Sequence, residues 1–355
     1  MRPAASTLLA LLFVALPAWP AAASRAAGFP PPPLPNRLSA TGLFHPGSPE
    51  TLREGVLPFT PQYPLWSDGT TKRRWISLPP GTVIDALDPD AWEFPTGTRL
   101  WKEFRHGRAL ETRYLERLAD GRWRFASYLW DEEGRDAVLA PEGGAVLAAG
   151  STGRYVVPSR TDCLACHEGA AVPVLGFSAL QLSPDRDPFA PHADPKRASD
   201  VNLTRLVETG RLVNMPRALL INAPRIAARS PVERAALGYL HGNCGHCHAG
   251  PTGALDGLDL TLAQRVAPGN DSAARTLASL LDHPSRFRPR GIDNPRRIAL
   301  DGHGTSTLTL RLRSTSPLTR MPPLGVQVVD DEGVSLVERW IAETQTQHHA
   351  QETRP

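Results

Sequence analysis

Residues 239–250, YLHGNCGHCHAG, decide how this chain is read. They set Cys244 and Cys247 three positions apart and put His248 directly after the second thiol. Thiols so spaced can form a redox dithiol, half of a zinc site or, with the adjoining histidine, a haem attachment loop.

The same shape occurs once more. CLACH at 163–167 supplies Cys163, Cys166 and His167, and CGHCH at 244–248 supplies Cys244, Cys247 and His248. In a C-x-x-C-H pentapeptide the two thiols add to the porphyrin vinyl groups and the histidine ligates the iron from one face. With 11 histidines in 355 residues, both pairs would be followed by one by chance in about one chain in a thousand. Four cysteines could also hold zinc, but that leaves both histidines unexplained. Disulfides suit an exported protein, yet a bridge across two intervening residues closes a small loop and stabilises little. Redox C-x-x-C pairs open a helix in a thioredoxin-like βαβ unit, and no such unit is legible here. The pattern favours covalent haem at both motifs, with zinc and redox dithiols as alternatives.

Around the second motif, SPVERAALGYLHGNCGHCH reads as a helix running into the pentapeptide, with Ser230 as N-cap before Pro231. GVSLVERWIAE reads as a terminal helix with Val337, Trp340 and Ile341 on one face, and Gly238 beside Tyr239 suits a close helix crossing. Between them, RMPPLG at 320–325 places Met321 before two prolines, which stiffen the loop as a weak thioether ligand requires. Residues 225–345 thus resemble a class I cytochrome c, with Met321 opposite His248. A carbonyl near Pro251 is expected to orient His248 through its ring N–H.

The first motif is approached differently, through RYVVPSRTDCLACH, read as strand and loop. Its sixth ligand stays open. Met215 in LVNMP also precedes a proline, and His192, His241 and His246 are alternatives. Arg160, Arg296, Arg297 and Arg320 are candidates to pair with haem propionates.

The rest of the chain sets the frame. Its length suits two domains, and 41% hydrophobic with 21% charged residues is ordinary for a globular protein. The net charge of +3 is spread along the sequence, so no basic block points to nucleic acid. Residues 1–23 read as a Sec signal peptide: basic Arg2, a short apolar run and AAAS at the cleavage point. The competing reading is an uncleaved membrane anchor. No later segment looks long and apolar enough to span a bilayer, so the expected location is a bacterial periplasm.

Residues 24–49 read as a proline-rich arm. Within 50–157, runs at 72–78, 98–105, 110–117 and 122–130 alternate apolar with charged residues between turn signals, an antiparallel strand pattern. Trp66, Trp75, Trp92, Trp101, Trp123 and Trp130 should fill the core of a small sandwich or barrel. Residues 158–224 form the first haem-binding segment, 225–345 the cytochrome c-like domain and 346–355 a disordered tail. Helices are expected at about 200–212, 231–242, 271–282, 305–313 and 332–345. The fold class is therefore multidomain α+β, an N-terminal antiparallel β-rich domain followed by a mainly helical cytochrome c-like region.

Taken in order, GVLPFTPQYPLWSDGTTKRRWISLP, FPTGTRLWKEF, WRFASYLWDEEG, VPSRTDCLACH, LGFSALQLS, LGYLHGNCGHCH and RMPPLG make the chain similar to a family of exported, largely uncharacterised dihaem c-type cytochromes. Some of them are encoded beside parallel β-helix repeat proteins. The resemblance spans about residues 38–345 and implies two covalently bound c-type haems, one at each motif. It brings no substrate with it, and it does not extend to Met215. The expected function is periplasmic electron transfer with a redox partner protein or a quinol-linked donor or acceptor. The alternative is a peroxidase-like dihaem oxidoreductase with an open or displaceable ligand at the first haem. The β-rich half departs from the plan of dihaem peroxidases, which pair two cytochrome-like domains, and so favours the carrier.

Overall fold

The alternation of apolar and charged residues produces Val56–Pro58 (β1), Thr71–Ser77 (β2), Arg99–His106 (β3), Arg108–Arg117 (β4), Trp123–Trp130 (β5) and Ala137–Leu139 (β6). In this computed structural model, which describes residues 31–353 apart from 46, 196, 251–254, 256 and 302–304, they pair consecutively as one antiparallel six-stranded sheet. An open meander with three two-stranded ribbons replaces the sandwich or barrel expected from the sequence. The expected leader over 1–23 lies outside the described residues.

A period of two sends successive side chains to opposite faces of the sheet. On one face Trp75, Trp101, Tyr114 and Ala126 form a rung, continued by Tyr128 and Trp130. The arm covers it. Leu38 on a 3-10 turn (Leu38–Thr41), Leu43 and Phe44 are buried there, and Thr41 Oγ1 accepts from the Trp101 indole at 2.9 Å. The proline-rich segment is thus bound to the sheet from Leu34 onward.

The opposite face carries Ile76, Leu100, Leu115 and Phe125 as a second rung. These belong to the largest core cluster, which the sheet shares with the rest of the chain. Residues 33–355 accordingly form one compact unit.

Beyond the sheet come Arg160–His167 (α1), Leu203–Glu208 (α2), Arg217–Ile221 (α3), Pro231–Cys244 (α4), Ser272–Leu280 (α5), Thr307–Leu312 (α6) and Asp331–Glu352 (α7), separated by long irregular stretches. Helices α1 and α3 were not expected, and α7 continues through most of the expected disordered tail.

Ser230 caps α4 by accepting from Glu233 N at 3.0 Å, as its place before Pro231 suggests. α4 packs on α7, where Val337, Trp340 and Ile341 are buried. The close approach at that crossing is made by Gly333, where a methyl would overlap the Tyr239 ring. Gly238, expected to play that part, instead receives the ring of Tyr63. Tyr63 belongs to the segment between β1 and β2, which wedges against α4. Its hydroxyl meets Asp187 Oδ2 at 3.0 Å, Trp66 N donates to Asn243 Oδ1 at 2.7 Å, and the Trp66 indole donates to Val328 O at 3.1 Å.

Candidate functional site

The first motif sits on α1. Strand residues Tyr155–Val157 and Pro158 lead to Ser159, whose Oγ accepts from Asp162 N at 3.1 Å while Asp162 Oδ2 accepts from Ser159 N at 2.9 Å. This capping box starts a helix at once, so the pentapeptide is helical rather than the loop expected. Spacings of three and four place Cys163, Cys166 and His167 on one helix face. The His167 ring lies 5.0 Å from that of Phe125 on β5. Its Nδ1 is 2.6 Å from Pro173 O. A carbonyl only accepts, so Nδ1 carries the hydrogen and Nε2 keeps the lone pair that a metal needs.

The second motif forms the end of α4. Cys244 closes the helix, and the chain turns with Cys247 N and His248 N both donating to Cys244 O, at 3.1 and 2.9 Å. His248 Nδ1 is buried and has no hydrogen-bond partner among the described residues. The expected partner carbonyl near Pro251 falls outside the described residues.

Both motifs open onto one cleft of about 2130 Å³, including its solvent-open part. Its lining includes all four cysteines, His167, His248 and Met321. Cys166, Cys247 and His246 all line it and lie close enough to one another to interact electrostatically. Much of the remaining wall is apolar, from Leu100 and Leu115 on the sheet to Leu260, Leu262 and Leu308. Met321 is steadied by its amide, which donates to Arg311 O at 3.0 Å. The loop after it is pinned from the sheet side, with Asp68 Oδ1 accepting from Gln327 N and Val328 N at 2.8 and 2.9 Å.

Burial sets the protonation states. It pushes the Cys163 thiol up to about 11 and that of Cys244 to about 12. Cys166 rises to about 12 chiefly through its interaction with Cys247, whose own thiol that interaction lowers. His167 and His248 are pushed down to about 4 by desolvation. Cys163, Cys166 and Cys244 as neutral thiols and His167 and His248 as neutral imidazoles are thus the favoured forms at pH 7.

These residues fit covalent haem. Thioether sulfur carries no charge, so a buried apolar wall suits it. A porphyrin brings four equatorial ligands of its own, so each iron needs only axial groups from the chain. His167 already has the carbonyl partner that holds such an imidazole in place, and the orphaned Nδ1 of His248 is the donor that would take one. Among the described residues no three His, Cys, Asp or Glu side chains are grouped to hold one ion.

The other candidates separate. Met215 is buried in the core at 9% exposure beside the ribbon Leu212–Val213, and does not line the cleft. His192 binds Asp330 Oδ1 through Nε2 at 2.7 Å and faces Glu332 through Nδ1. His241 Nδ1 accepts from Gln264 N at 3.1 Å, away from the cleft. Only His246 of the alternatives opens onto it. Among the arginines, Arg297 lines the cleft, whereas Arg160 pairs with Glu142, Arg296 with Asp282, and Arg320 borders a neighbouring small pocket.

Arg74, Lys102 and Arg113 from the sheet, and Arg286 and Arg311 from the far side, also line the cleft and were not singled out from the sequence. Strand parity carries the signal for the first three, since they share a face with Leu100 and Leu115. Comparison with known proteins found no matching family model, no matching curated protein and no matching solved structure. Among the described residues, no helix is long and apolar enough to cross a membrane.

Proposed function

We propose that this protein is an exported dihaem c-type cytochrome that transfers electrons. The observation carrying the reading is the convergence of two C-x-x-C-H motifs and Met321 on a single cleft. In it, Cys163 and Cys166 would hold one haem and Cys244 and Cys247 the other, and His167 and His248 would bind the irons. Met321 would supply a thioether to the haem that His248 binds. Bound haem supplies one-electron chemistry at its iron, and a thioether opposite imidazole favours the ferrous state.

The chain's own residues do the rest. Pro173 O fixes the His167 tautomer, Leu100, Leu115, Leu260, Leu262 and Leu308 give the cleft an apolar wall, and the Asp68 and Arg311 contacts hold the methionine loop in place. The resemblance to exported dihaem cytochromes, with a cytochrome c-like segment over 225–345, agrees with this reading. So does the leader-like sequence at 1–23, which points to the periplasm and to a redox partner protein or quinol-linked donor.

One observation favours a second reading, a peroxidase-like oxidoreductase. Met215, His192 and His241 are all held away from the cleft, which leaves His246 as the one sequence candidate for the sixth position at the first haem. Carbon monoxide added to the reduced protein tests this. An unchanged spectrum supports the carrier; binding at one haem shifts the reading to the enzyme.

A further inference from the structure

The two faces of the sheet treat charge in opposite ways. On the arm-covered face the cross-strand neighbours alternate in sign: Arg73 meets Glu103 at 2.9 Å, and Glu116 lies between Arg99 and Arg124 at 3.2 and 2.8 Å. On the cleft face the register places Arg74 opposite Lys102 and Lys102 opposite Arg113. Three cations on one rung are mutually destabilising unless something negative faces them. Arg74 has Asp194 at 3.1 Å, and Arg113 has Glu111 at 2.9 Å. Lys102, between them, has no hydrogen bond or ion pair among the described residues, only the Phe104 ring 4.9 Å from its Nζ.

Two residues along each strand the rung is apolar, with Leu100 and Leu115 also lining the cleft and Phe125 against His167. An apolar platform beside a row of cations matches a flat hydrophobic molecule with carboxylates on one edge. Burial first, then the neighbouring cations Arg74, Arg113 and Lys72, push the Lys102 pKa well down against the opposing pull of Glu111, and a facing carboxylate would favour the ammonium again.

We infer that Lys102, flanked by Arg74 and Arg113, binds the propionate edge of the haem attached at Cys163 and Cys166, so that the β-sheet is one wall of that haem's site. This rests on the dihaem reading above. The contact is electrostatic: the carboxylate favours the protonated form of Lys102, and no covalent bond is made or broken. Lys102 is a positioning and charge-compensating residue, and its effect is on potential.

The test uses the full chain, produced in a host with the haem-attachment machinery. Redox titrations compare wild type, Lys102→Met and Lys102→Arg, with covalent haem counted in each. A cation beside a haem favours the reduced state. Lys102→Met should therefore lower one of the two midpoint potentials, leave the other in place, and keep two haems per chain, while Lys102→Arg restores the wild-type value. If Lys102→Met instead loses one haem, restoration by Lys102→Arg supports the same assignment. Two attached haems with both potentials unchanged in Lys102→Met would overturn the propionate role and leave the dihaem reading standing. An equal shift in both variants would also overturn it, because shape rather than charge would then be responsible. A wild-type chain without covalent haem refutes the underlying reading itself.

Discussion

Met215 and Met321 look alike in sequence, each preceding a proline, but they end in different surroundings. Met321 lines the cleft, and Met215 is packed in the core. Replacing Met321 with alanine should abolish the methionine-to-iron absorption band and lower the potential of one haem; an unchanged potential would remove it as a ligand. Met215→Leu conserves volume, so it should cost under about 1.5 kcal/mol in a urea melt and leave both haem spectra as in wild type. The six C-x-x-C-H residues stand out in the sequence through their local spacing and Met321 through the two prolines after it, and the structure places all seven on one cleft. The place of Met215 was not legible, since its neighbour strand Ile84–Asp85 comes from far upstream. The cations Arg74, Lys102 and Arg113 were hidden for a related reason: strand parity groups them, but which face meets the cleft is a tertiary fact.

Helix α4 shows how one element links core and site. Glu233 in its first turn is buried, which by itself disfavours the carboxylate. That penalty is outweighed by Arg229, whose Nε lies at 3.0 Å, by the Arg229 amide at 2.9 Å and by the Trp340 indole at 3.2 Å, so the pKa is lowered. A group depressed in the folded state contributes stability above its unfolded value and loses it as pH falls through the folded one. Wild-type stability should therefore decline below about pH 4.3, the ordinary glutamate value, more steeply than that of Glu233→Gln. At neutral pH that variant should be weaker by about 1–3 kcal/mol, and thermal melts across pH check both expectations. The four long strands β2 to β5 were read from the sequence to within two residues, since alternation and glycine turns are local, whereas the three-residue edge strands β1 and β6 are too short to show a period. The helix at α1 was missed because its signal is a capping box of two side chains on an otherwise weakly patterned stretch.

At the scale of the whole molecule, the sheet and the helices share one core, and the segment between β1 and β2 carries much of the junction. Tyr63 presses onto Gly238, while Trp66 and Asp68 hold the chain beyond Met321. Gly238→Ala should thus destabilise the protein by roughly 1–3 kcal/mol, with a larger loss if the ring cannot shift, as a denaturant titration would show. This junction was not foreseen, because Tyr63 and Trp66 read as ordinary aromatic residues of a strand-rich region until the partner helix is in place. The junction also brings α1 and α4 to one cleft, which Cys166 and Cys247 both line. The most direct measurement is the number of covalent haems per chain, from the alkaline pyridine spectrum of protein exported by a host with the attachment machinery. Two per chain, falling to one in Cys163→Ser/Cys166→Ser and to one in Cys244→Ser/Cys247→Ser, is the predicted result; a wild-type chain with fewer than two would contradict it.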